Sequence, residues 1–169
     1  DQGVQRSEDG GQSWQVLFDW PALAIAGGAN GPLFIRTDNS VYESTDRGAN
    51  WRLQPIDGSA GPLSVAGEAA ATAGGRQVFM RNAPAAWLPY GAVLPDVPTG
   101  LVLLPQQSGQ VRAVIGDTLY ACASADGLWM AQTGAPAARG PLAALPGKTS
   151  ALLLAQSGGG IVRSDDLGA

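Results

Sequence analysis

SEDGGQSW at positions 7–14 and STDRGANW at positions 44–51 share the pattern S-x-D-x-G-x-x-W, and their recurrence 37 residues apart decides how the rest of the chain is read. The residues leading into each box correspond as well, Gly3-Val4-Gln5-Arg6 standing against Ser40-Val41-Tyr42-Glu43. A third copy, SDDLG at 164–168, follows Ile161-Val162-Arg163 and supplies Ser164, Asp166 and Gly168, but stops before its tryptophan. Two worn copies emerge when the other tryptophans are placed in the same column. Trp87 is preceded by Met80-Arg81-Asn82, with Asn82 in the place of the aspartate. Trp129 is preceded by Cys122-Ala123-Ser124, with Cys122 in the place of the serine.

The column Trp14, Trp51, Trp87 and Trp129 has spacings of 37, 36 and 42 residues. A period of about 40 residues is what a four-stranded propeller blade requires. Within the first full period four short strands are predicted, over 22–26, 33–37, 40–43 and 51–55, with Asp38-Asn39 as a two-residue hairpin turn. Later periods repeat the order over 101–104, 111–115, 119–122 and 128–132, then over 142–145, 151–155 and 160–163. Alanine-rich stretches at 66–73 and 135–144 invite a helical reading, but Gly67, Gly74-Gly75, Pro136, Gly140 and Pro141 interrupt them and no capped 3.6-residue period is sustained. The predicted fold class is all-β, a propeller of four-stranded antiparallel blades, with residues 1–169 forming a single domain or propeller fragment of about four blade-equivalents. The segments 4–14 and 161–168 are equivalent, so one third strand is in surplus. This predicts a piece of a larger propeller, or one missing ordered ends, rather than a complete four-bladed ring; the edge strands of a piece would invite self-association.

The box residues suit a turn. Asp9, Asp46 and Asp166 can accept from backbone N–H groups that the turn leaves unpaired, and Ser7, Ser44 and Ser164 can tie it from the other side. Gly11, Gly48 and Gly168 can take a positive φ. Trp14 and Trp51 are expected to return into the sheet and bury their rings against a neighbouring strand. This motif resembles the Asp-box, or bacterial neuraminidase, repeat, and the resemblance covers nearly the whole chain. It implies a propeller. It does not imply one activity, because proteins with this repeat include sialidases, xyloglucan hydrolases, sortilin-type receptors and photosystem II assembly factors. Such proteins are commonly exported, which implies an extracytoplasmic bacterial setting.

Composition narrows the chemistry. The net charge of −4 and the lack of a Lys/Arg-rich run remove the electrostatic footprint of a nucleic-acid binder. The apolar runs are too short for a membrane span. With no histidine and one cysteine, Cys122, zinc sites of the Cys/His kind, disulfide frameworks and Ser-His or Cys-His catalysis are excluded. Cys122 itself reads as a small core residue. No cofactor is implied.

A sialidase-like site, by the same resemblance, needs three clustered arginines, a tyrosine paired with a glutamate, and an aspartate acid. The Arg-Ile-Pro stretch of that family is missing, Phe34-Ile35-Arg36 having the letters in another order, and Tyr42 and Glu43 are adjacent on a strand and so point to opposite faces. Other carboxylates, Asp19, Asp38, Glu43, Asp57, Glu68, Asp96 and Asp117, read as turn acids or solvated charge. The reading is therefore a non-catalytic interaction or scaffold module for a protein or glycan partner, with a glycoside hydrolase as the alternative. Trp20 and Tyr90 lie outside the box pattern and are candidate partner contacts.

Overall fold

A computed structural model describes residues 3–27, 31–82, 86–104, 110–145 and 151–166. Among them there is no helix, and seventeen strands form five antiparallel sheets. The first sheet pairs β1 (Val4–Arg6) with β2 (Gln15–Phe18). The second runs β3 (Ala24–Gly27), β4 (Leu33–Arg36), β5 (Ser40–Ser44) and β6 (Arg52–Pro55). The third runs β7 (Ala60–Ala66), β8 (Ala69–Gly74), β9 (Gln77–Arg81) and β10 (Leu88–Tyr90). The fourth contains β11 (Gly100–Leu103), β12 (Val111–Ile115), β13 (Thr118–Cys122) and β14 (Met130–Ala131). The fifth contains β15 (Ala138–Leu145), β16 (Ala151–Gln156) and β17 (Ile161–Ser164).

Strands follow one another within each sheet in chain order, as the short connections dictate. Every tryptophan of the column directly precedes the outermost strand of its sheet, so the spacing read from sequence marks equivalent places. Thr37 closes the predicted hairpin, its N–H donating to the Ser40 carbonyl at 3.0 Å. The strand expected over 128–132 is shorter than predicted, only Met130–Ala131 pairing with β13. Trp129 is drawn away from the ladder there, its indole turned to the preceding sheet.

Adjacent residues of the inner strands face different cores. Ala70 packs with Phe34, Val41 and Ile56 between the second and third sheets, whereas Ala71 packs with Tyr90, Leu101 and Val111 between the third and fourth. Val102, Val114, Leu119, Leu152 and Leu154 fill the next interface. Each such side chain contributes roughly 1.5–3 kcal/mol of burial. This explains why the alanine-rich stretch is strand: with a sheet on either side, β8 must present small residues both ways, and Phe34 fills the space opposite Ala70. Innermost strands β3, β7, β11 and β15 stand side by side around a channel of about 750 Å³.

Candidate functional site

The two full boxes build the same turn. In the first, the Ser7 hydroxyl donates to Asp9 Oδ1 at 2.8 Å and accepts from the Gly11 N–H at 2.7 Å. Asp9 Oδ1 also takes the Gln12 and Ser13 N–H groups, and Oδ2 takes the Ser13 hydroxyl at 2.6 Å. In the second, Ser44 donates to Asp46 at 2.8 Å and accepts from Gly48 at 2.7 Å, while Asn50 gives its N–H and its Nδ2 to the two carboxylate oxygens at 2.8 and 2.7 Å. The Ser13 hydroxyl, then the Ser13 N–H, holds the Asp9 carboxyl well below the usual carboxylate range. The Asn50 amide does the same for Asp46, lowering it to about 2. Ser13 and Asn50 were missed by sequence reasoning. Their signal was present, a small polar residue directly before each full-box tryptophan, where the worn copies have Ala86 and Leu128.

Gly11 and Gly48 have φ of +96° and +90°, as the turn requires. Ser164 donates to Asp166 in the third box, and Gly168 lies outside the described residues.

The tryptophans link neighbouring sheets unequally. Trp51 donates its indole N–H to the Leu17 carbonyl at 2.9 Å and meets Phe18 edge-on at 5.7 Å. Trp129 does the same two interfaces later, donating to Ala92 at 2.9 Å and meeting Tyr90 at 6.5 Å. Trp14 corrects the expectation of a buried ring: it is 61% exposed and its indole bonds within its own box, to Gly11. No sheet among the described residues stands on its far side. Trp87 packs edge-on against Phe34 instead, deeper in the interface, and its buried Nε1 has no hydrogen-bond partner among the described residues.

The candidate partner contacts separate. Trp20 is 57% exposed, its ring meeting Phe18 and Tyr42 edge-on. Tyr90 is corrected to a core residue. It is 1% exposed at the end of β10, its hydroxyl donating to the Cys122 carbonyl at 3.3 Å, and burial pushes its phenol up to about 12. Cys122 is a buried free thiol.

Two buried arginines, Arg36 and Arg81, reach between sheets. Arg36 donates to the carbonyls of Ser59 and Ala73 in the third sheet's segment, and burial lowers its pKa. Arg81 forms a 2.5 Å pair with Glu43 across the second interface and lies 5.4 Å over the Phe34 ring. The described residues lining the axial channel include Ile25, Leu63, Ser64, Val65, Val102 and Ala143, and contain no arginine and no carboxylate.

A separate groove of about 450 Å³ opens between the second and third sheets at their outer side. The Glu43–Arg81 pair lies in it, with Asp46, Asn50, Arg52 and Gln54 on one wall and Ala86 on the other.

Four-stranded sheets with strands in chain order, packed face to face about a channel, define a β-propeller. No protein-family model matches the chain, and no curated protein matches it in sequence. Solved structures do. YCF48 bound to D1 peptide is similar with a TM-score of 0.60 and 22% identity, over 95% of this chain and 56% of that one. YCF48 from Cyanidioschyzon merolae gives 0.56 and 14%, over 98% and 67%. U3-55K gives 0.55 and 12%, over 84% and 54%. The chain thus spans little more than half the length of the first of these propellers, and at such identities the likeness is one of fold.

Proposed function

We propose that this chain is a non-catalytic propeller module of the Asp-box type, whose partner is a protein. The observation that carries the reading is the lining of the axial channel. A glycosidase sets two carboxylates roughly 5–10 Å apart across a cleft, and a sialidase-like site needs clustered arginines. Among the described residues, the channel has aliphatic side chains and Ser64 in those places, and Ser64 already accepts the Leu103 N–H at 2.9 Å. The carboxylates at the boxes are spent on turn hydrogen bonds. Similarity to a propeller solved with a peptide bound supports a protein partner over a glycan. We also read residues 1–169 as one propeller domain of the photosystem II assembly-factor kind, set in an extracytoplasmic bacterial protein. This last reading rests on the repeat resemblance.

The test is a parallel screen on peptide arrays, glycan arrays and chromogenic glycosides. Capture of peptides with no glycoside turnover is expected. Turnover of any glycoside, or capture of glycans alone, would overturn the proposal.

A further inference from the structure

We infer that the groove between the second and third sheets is where the partner docks, and that it takes an extended peptide segment carrying an acidic side chain opposite Arg52. This rests on the protein-binding reading above and adds the place and the chemistry.

Three observations meet here. The first is the irregular use of the tryptophan column. At the interfaces on either side the indole of Trp51 or Trp129 crosses to a carbonyl of the preceding sheet and closes the seam. Counting back the same distances from Trp87 arrives at 50–53, where Asn50, Trp51 and Arg52 line the groove. Trp87 does not reach it. Its ring is turned inward onto Phe34, and the seam stays open over about 450 Å³.

The second observation is the strand that borders the opening. β6 pairs with β5 on one side and is the last strand of its sheet, so its other row of backbone N–H and C=O groups faces outward. A peptide strand satisfies such a row in register, which a sugar cannot do.

The third observation is the charge left over. Glu43 is paired with Arg81, and Asp46 is engaged by Ser44 and Asn50. Arg52 is exposed on β6 and, among the described residues, has no ion pair. It is the groove's cation that has no carboxylate within ion-pair distance among the described residues, and a guanidinium selects a carboxylate.

The experiment selects dodecapeptides from a phage-displayed random library on the wild-type chain and titrates them by fluorescence anisotropy. The variants are Arg52→Glu, which reverses the charge, and Ala86→Trp, which fills the groove from an exposed position. Arg139→Glu, on the exposed face of β15, is the control, and far-UV circular dichroism verifies that each variant is folded. The expected result is acid-containing peptides that lose roughly ten-fold or more in affinity with Arg52→Glu and with Ala86→Trp, but not with the control. Hydrogen exchange should slow at the β6 amides facing away from β5. Selected peptides that keep full affinity for both variants would overturn the groove assignment and leave the protein-binding reading standing. A wild-type chain that selects no peptide would overturn that reading too.

Discussion

Trp14 and Trp51 occupy one column of one motif, yet removing them should have very different costs. Trp51→Ala deletes an indole hydrogen bond to Leu17 at 2.9 Å and an edge-on contact with Phe18 at 5.7 Å. A hydrogen bond of this kind contributes about 1 kcal/mol and an aromatic pair about 0.5–1.5 kcal/mol beyond area. The ring is half-buried, so lost burial adds about 1 kcal/mol, and the total is about 3 kcal/mol. Trp14 is 61% exposed and bonded only to its own turn, so Trp14→Ala should cost about 0.5 kcal/mol. Urea titrations followed by far-UV circular dichroism, which is little affected by loss of one fluorophore, give the comparison. Trp51→Phe separates the terms by keeping the ring contact and losing the bond. Equal losses for Trp14→Ala and Trp51→Ala would refute the idea that the box tryptophan acts between sheets rather than within its turn.

Further outcomes are expected at the ion pair and at the box turns. Glu43→Ala leaves the buried Arg81 guanidinium uncompensated and should destabilise by about 3–5 kcal/mol in denaturant titration, whereas Glu43→Leu combined with Arg81→Leu should be closer to neutral. The folded-state pKa of Asp46 lies at about 2, below its ordinary 3.8, so its stabilisation is present above about pH 4 and is lost as the pH falls through 2. Asn50→Ala should move the carboxyl resonance midpoint upward in an NMR titration. Arg47 has φ +59° in the second box, where the first box has Gly10 at +73°, so Arg47→Gly should stabilise by about 0.5–1 kcal/mol. At the next position Gly48→Ala should destabilise, since its Cβ would sit 2.6 Å from Leu17 Cδ1 at a φ of +90°.

Much of the architecture was legible because the box is a local device. Its serine, aspartate and glycine bond to atoms within a few residues, so sequence spacing carries the geometry, and the tryptophan column fell directly before each outer strand. What the column could not convey was the far side of each ring. Trp51, Trp87 and Trp129 differ in whether the preceding sheet offers an acceptor and an aromatic, and that depends on residues more than thirty positions away. Tyr90 was misread for the same reason. Its neighbours Pro89 and Gly91 suggest a loop, but it ends an outer strand and lies under Trp129. The groove was illegible, being defined by where one indole does not go.

The division of Ala70 and Ala71 between two cores has a consequence for how errors are tolerated. In a sheet with one wet face, a one-residue slip exchanges buried and solvated positions and damages a single core. In β8 the same slip would present each residue to the wrong neighbour on both sides, disrupting two seams at once. Length variation in such a chain is therefore confined to its hairpins and inter-sheet connections.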